Sequence, residues 1–377
     1  MNDKYIRSSR PFFPKEDIAN IASDISEALQ EGKLRNGKNL RDFERGIAEY
    51  LCIRNAIAMD SDSSAFETVL NYFGAKNREV VVCTNSFISV PNSVLYSGGR
   101  VVFADIRGET LSMDPGSLQE SISKDTCGVI VTHIAGFPNP DLKQIIEICR
   151  KNNLFLIEDA THAIGATVNG QKAGTFGDAA VFAFTPTKVL TTGEGGMLVT
   201  NNDDLSEYAR RFSYYGSGPG KTNFVNLGRH MMMPEISAIL GLYQLRRIEE
   251  FVARRNEIAK TYNESFDRLI SVSTVKCSSD SRSSYYKYPL TLGYNVDRAK
   301  FTQSLKDSHV ETGSVFYPPC HLQTVYQKIC GSRKPYLPIS ENVLARTITL
   351  PMHVDLTEED VRYVSESVSA FCVNHEQ

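Results

Sequence analysis

The sequence lacks several features that would have narrowed its class at once. Its eight cysteines, Cys52, Cys83, Cys127, Cys149, Cys277, Cys320, Cys330 and Cys372, form no C-x-x-C pair and no zinc-ligand spacing, so they read as reduced thiols. The histidines supply no metal set either. No apolar run approaches the ~20 residues that span a bilayer, and the first residues, MNDKYIRSSR, lack the apolar centre of a signal peptide. No membrane partner is expected, and cytoplasm is the expected location. A net charge of -3 and a pI near 6.2 give no reason to expect nucleic acid as a partner. Internal repeats and low-complexity tracts are absent. The segment from Tyr215 to Thr222 invites a phosphate-loop reading through Gly220-Lys221, but a Walker A motif needs a glycine where Tyr215 stands. Lys221 near a substrate phosphate, or simply in solvent, are the two readings left for that loop.

The remaining composition is that of an ordinary globular protein, 41% hydrophobic and 23% charged, and 377 residues are enough for a large domain and a smaller one. Apolar residues at helical spacing mark 15–31 and 38–51 as helices. Short apolar runs then alternate with helical stretches: 56–59, a helix from about 63, 80–83, a helix after 87, 101–104, 128–132, a helix over 142–151, and 154–157. That alternation predicts βαβ units and a mostly parallel sheet. After Pro234 one long helical pattern runs from Ile236 to Phe251. A strand at 285–290, a helix at 297–308, a strand at 347–350 and a closing helix suggest a second unit. The boundaries drawn are 1–270 for the large domain and 271–377 for the small one, with the N-terminal helices open to packing on the latter.

The most informative stretch is Leu154 to Thr200. An apolar run, Leu154 to Ile157, delivers Glu158 and Asp159 at its carboxyl end, where parallel sheets keep their ligand sites. A second run, Ala179 to Phe184, leads to Thr185-Pro186-Thr187-Lys188, and a third, Met197 to Thr200, follows the turn-rich Gly193-Glu194-Gly195-Gly196. A lysine amine can condense with an aldehyde cofactor, and pyridoxal phosphate needs an acid facing its pyridine nitrogen to act as an electron sink. Lys188 and Asp159 are candidates for those two roles. Singly, each also reads as ordinary: a solvated loop lysine, and an N-cap before Ala160.

The same stretch resembles the DegT/DnrJ/EryC1/StrS family of sugar aminotransferases, fold type I pyridoxal-phosphate enzymes. Glu158-Asp159-Ala160-Thr161-His162-Ala163-Ile164-Gly165-Ala166 is similar to that family's EDAAQAxGA, with histidine where glutamine is commoner. Phe184-Thr185-Pro186-Thr187-Lys188, with Thr191 to Gly196, is similar to its SFxxTKxxTTGEGG. The resemblance implies Lys188 as the Schiff-base lysine, Asp159 as the pyridine-nitrogen partner and His162 beside the phenolic oxygen. It further implies Phe87 as the aromatic covering the ring, and Ser61-Asp62-Ser63, at a helix N-terminus, as the phosphate site. The expected fold is α/β, a mostly parallel seven-stranded-type sheet with helices on both faces and a smaller C-terminal α+β domain.

Four further positions depart from the family pattern, and they bear on the cofactor phosphate. Asp62 replaces a glycine, Ala183 replaces a serine, and His230 replaces an asparagine that in the family reaches across from a neighbouring subunit; Met232 replaces an arginine in the same segment. Weaker or rearranged cofactor holding is the expectation. Two further histidines, His133 and His321, resemble family positions and read either as substrate neighbours or as hydrogen-bonded structural groups. The implied activity is transfer of an amino group from an amino acid, by family habit glutamate, to a keto group of a nucleotide-linked sugar, by a homodimer with shared active sites. A cyclitol or other non-nucleotide ketone as acceptor, and a non-catalytic ligand-binding role, are the alternatives.

Overall fold

A computed structural model describes residues 5–218, 220, 222–330 and 335–375. Runs such as Val80–Val82, Val129–Val131 and Leu156–Ile157 show no polar alternation, which suits strands covered on both faces. Numbered along the chain, these are β1 (Asn55–Met59), β2 (Glu79–Cys83), β3 (Arg100–Ala104), β4 (Thr126–Thr132) and β5 (Phe155–Asp159). A short hairpin, β6 (Thr167–Val168) and β7 (Gln171–Lys172), precedes β8 (Ala179–Ala183) and β9 (Gly196–Thr200). Seven of them form one sheet in the order β1-β9-β8-β5-β4-β2-β3. Only β9 runs against the direction of the other six. Because Thr132 pairs with Asp159 and Asp159 with Val181, β4, β5 and β8 finish along one edge.

Packing explains one glycine in this sheet. A methyl group on Gly128 would come within 2.1 Å of the Phe155 ring, so the bare backbone of β4 is the space that the ring of β5 fills.

Helices cover both faces. On one, Val69 and Leu70 of helix Asp62–Tyr72 and Val90 and Val94 of helix Ser89–Tyr96 pack with Val80, Val82, Ile130 and Ile157. On the other, Ile145 and Cys149 of helix Leu142–Lys151 join Val81, Val129 and Leu156 in a core that continues through Tyr262 to the C-terminal part of the chain. There β10 (Val272–Thr274), β12 (Tyr288–Leu292) and β13 (Thr347–Leu350) form a small antiparallel sheet, while β11 (Ser281–Arg282) joins the β6–β7 hairpin. The expected α/β architecture is therefore present. Among the described residues, no helix is long and apolar enough to cross a membrane.

Three local expectations need correction. The helical pattern after Pro234 is two helices, Glu235–Arg246 and Ile248–Phe266, parted at Arg247, whose guanidinium is drawn to Asp17 and Glu16. The N-terminal helices Lys15–Glu31 and Lys38–Leu51 lie on Glu235–Arg246 and not on the C-terminal sheet. The Glu235 carboxylate accepts from the N–H groups of Gly37, Asn39 and Leu40, so it caps the second of these helices from afar and fixes it there. It is the extended stretch ahead of them that reaches the C-terminal part, where Ile6 bridges Val310. Finally, the strand expected from 285 begins at 288. Tyr285 has φ +44°, and the Ser284 and Lys287 N–H groups donate to the carbonyls of Gly136 and Ala135. Residues 284–287 are thus strapped to the turn after β4 and taken out of the ladder.

Candidate active site

The carboxyl end of β8, on the edge where β4 and β5 also finish, borders a cleft of about 320 Å³. Asp62, Phe87, His162, Ala183 and Lys188 all line it. Asp159 lies just beneath, 1% exposed, its two oxygens accepting from the Thr132 hydroxyl at 3.0 Å and the Thr161 N–H at 3.2 Å. Burial raises its pKa, opposed by these bonds and by the Lys188 ammonium. Lys188 stands 4.6 Å from the centre of the Tyr286 ring. Burial lowers its pKa to about 8 against the pull of the Asp159 and Asp62 carboxylates. The amine therefore gives up its proton more readily than an ordinary lysine, while remaining mostly protonated at neutral pH.

His162 is oriented from two sides. Its Nδ1 accepts from the Ala135 N–H at 3.2 Å, which places the proton on Nε2, and its ring stacks on Tyr286 at 4.3 Å. Burial, with the charges of Lys188 and Lys287, holds its pKa well below the usual histidine value, so the ring is neutral. Phe87 is 51% exposed and lies 5.6 Å from Phe316, so it stands at the mouth of the cleft and is not a core residue.

The start of helix Asp62–Tyr72 supplies the next wall. Ser61 is its N-cap, accepting from the Ser64 N–H at 3.2 Å, and Asp62 faces the cleft while accepting from the Ser89 hydroxyl at 2.9 Å. Ser63 is in the same first turn, half-buried. Gly196 allows β9 to begin against this turn, since a methyl there would lie 2.4 Å from the Ser61 carbonyl.

Other expected positions fall outside the cleft. His133 is buried between the Glu158 carboxylate at 2.8 Å and the Asn139 N–H, while Glu158 also accepts from the N–H groups of Gly174, Phe176 and Gly177. His321 ties the Thr84 hydroxyl to Glu341. Both histidines are structural. His230 is exposed beside Tyr215, away from this chain's own cleft, and Lys221 lies outside the described residues. Sequence reasoning missed Tyr286, Lys287 and Phe316, which close the cleft opposite the sheet. An aromatic run interrupted by a lysine was the available signal, obscured because the run reads as a strand.

Residues 15–369 match the DegT/DnrJ/EryC1/StrS aminotransferase family. The chain belongs to that family. Among its relatives, the spore coat polysaccharide biosynthesis protein SpsC of Bacillus subtilis is 31% identical over 97% of this chain and 96% of its own. The GDP-perosamine synthase of Escherichia coli O157:H7 is 32% identical over 89% and 90%. The solved structure of Helicobacter pylori PseC, an aminotransferase involved in the biosynthesis of pseudoaminic acid, superposes with a TM-score of 0.91 at 27% identity, covering 98% of this chain and all (100%) of that one.

As a member of this aminotransferase family the chain is a pyridoxal-phosphate-dependent enzyme. Its residues fit the cofactor's ring: a buried carboxylate, an amine of lowered pKa, a neutral imidazole donor and an exposed aromatic converge on one cleft. They fit its phosphate less fully, because Ala183 offers no hydroxyl and Asp62 brings a negative charge.

Proposed function

We propose that this aminotransferase moves an amino group from an amino acid, glutamate in the first instance, to a keto group of a nucleotide-linked sugar. The observation that carries the reading is Lys188 above the buried Asp159 in a cleft walled by Phe87 and His162. The kinship with sugar-nucleotide enzymes, a GDP-perosamine synthase among them, supports a sugar as the acceptor. When bound, pyridoxal phosphate supplies an aldehyde carbon and a ring that withdraws electrons from the substrate carbon.

Each residue then has a task. Lys188 would hold the aldehyde and, with its pKa lowered to about 8, would take and return the proton at the substrate carbon. Asp159, anchored by Thr132 and Thr161, keeps a proton on the ring nitrogen. His162 would offer its Nε2 proton to the phenolic oxygen, Phe87 an aromatic face to the ring, and the first turn at Ser61, Asp62 and Ser63 would hold the phosphate. Residues 1–270 form the cofactor-binding domain and 271–377 the smaller one.

The active unit is a homodimer acting in the cytoplasm, with His230 serving the partner's cleft. Supporting this, Phe224, Val225 and Leu227 expose large apolar side chains close to His230, with Leu227 92% exposed.

The test is to purify the chain with cofactor, reduce it with borohydride and locate the adduct by mass spectrometry, then screen amino donors against nucleotide-linked keto-sugars. A reduced adduct on Lys188 and product with a nucleotide sugar support the reading. An adduct elsewhere, or turnover with cyclitol ketones alone, rejects it. Sedimentation analysis checks the dimer.

A further inference from the structure

The cleft contains a second amine to which the reading above gives no task. Lys287 lines it, placed there because its own N–H is bonded to the Ala135 carbonyl and residues 284–287 are held out of the small sheet. Its Nζ donates to the Ser314 carbonyl at 2.8 Å and lies 5.6 Å from the Phe316 ring centre and 5.7 Å from that of Tyr286. Tyr286 is the ring that Lys188 also approaches, at 4.6 Å. Two ammonium groups therefore flank one aromatic side chain. No carboxylate of the described residues comes within 4.0 Å of the Lys287 ammonium.

A half-buried lysine with a single carbonyl partner is poorly compensated for its lost hydration. Burial and the Lys188 charge both lower its pKa, against the pull of Tyr286. An anion seated beside Lys287 supplies the partner that this wall lacks. One compact ammonium, without an arginine fork or a helix N-terminus on the same wall, supplies a single positive charge, which suffices for a carboxylate and falls short of the larger charge of a diphosphate.

We propose that Lys287 is the carboxylate-recognition residue of the substrate cleft, gripping the carboxylate of the molecule whose reacting carbon stands at Lys188. This rests on the transaminase reading. Two sources share the chemistry: the amino-acid donor, which always carries a carboxylate next to its amine, and a keto-sugar bearing an acid group.

The experiment uses holoenzyme. Wild type, Lys287→Met and Lys287→Arg are compared for the concentration dependence of the single-turnover reaction with L-glutamate, followed by loss of the cofactor's visible band. Displacement by UDP-glucuronate and by UDP-glucose is measured alongside. A rise of about tenfold or more in the L-glutamate concentration needed by Lys287→Met, with Lys287→Arg close to wild type and UDP-glucose unaffected, establishes the donor carboxylate as ligand. A similar loss confined to UDP-glucuronate establishes the acceptor carboxylate. Unchanged affinity for both acids in a folded Lys287→Met overturns the proposal, and so does Lys287→Arg losing as much as Lys287→Met. A wild type that forms no visible band refutes the transaminase reading itself, whereas a normal band with unchanged Lys287→Met affinities refutes this one alone.

Discussion

Asp62 accepts a hydrogen bond from Ser89 at 2.9 Å on the rim of the cleft that Lys188 lines. A carboxylate in the first turn of helix Asp62–Tyr72, beside the Ser61 cap, already places negative charge at the positive end of that helix, and an incoming phosphate must contend with it.

Replacing Asp62 by asparagine keeps the bond to Ser89 and removes the charge. The cofactor dissociation constant of Asp62→Asn falls by about tenfold or more, equivalent to ~1.4 kcal/mol. Absorbance titration of cofactor-free protein with pyridoxal phosphate measures it. An unchanged or weaker constant places the phosphate away from this turn.

The depressed pKa of Lys188 makes stability depend on pH with a definite sign. Its folded value of about 8 lies below the ordinary 10.5, so the unfolded chain binds more protons between these values and stability rises with pH across that window. Cofactor-free Lys188→Met escapes the penalty. At pH 7 it is more stable than wild type by on the order of 2 kcal/mol, after allowance for the partial exposure of the side chain. The gap closes toward pH 10.5. Urea titrations at neutral and alkaline pH compare the two proteins, and a gap that stays constant over this window contradicts the assignment.

Glu158 carries structure, not chemistry. Its carboxylate receives three backbone N–H groups, from Gly174, Phe176 and Gly177, and sits 2.8 Å from His133. Glu158→Gln presents an amide donor to donors, at a cost of about 3 kcal/mol. Thermal melting shows the loss, while the turnover per folded holoenzyme stays near that of wild type.

Gly128 and Phe155 share one volume between β4 and β5. Gly128→Ala destabilises the protein by roughly 1–3 kcal/mol through overpacking. Combining it with Phe155→Leu recovers part of the loss, so the two changes are non-additive in denaturant titrations. Additive losses would show that the backbone simply shifts aside.

Much of this was legible along the chain. Leu154 to Thr200 carries the strand, carboxylate, strand and lysine in sequence order, and because parallel strands end on one edge, that order already implied that Asp159 and Lys188 meet. The βαβ alternation announced the sheet, since strands covered on both faces must be continuously apolar. The odd residues at 62 and 183 were placed at the site by the family resemblance, and both line the cleft.

The far wall was not legible. Tyr286 and Lys287 reach the cleft because the Ala135 and Gly136 carbonyls capture residues 284–287 from a distant part of the chain, and a positive φ at Tyr285 ends what reads as a strand; Phe316 joins them from further along the chain still. The fates of His133 and His321 were equally hidden, since a histidine in a motif looks the same whether a buried glutamate or a substrate faces it. The sequence by itself determined the sheet and the pairing of acid with amine, because these follow from local periodicity and strand direction. Only the tertiary structure decided which charges surround that pair, because burial and hydrogen bonding between residues more than a hundred positions apart set which side chains face the cleft and which are consumed in holding it together.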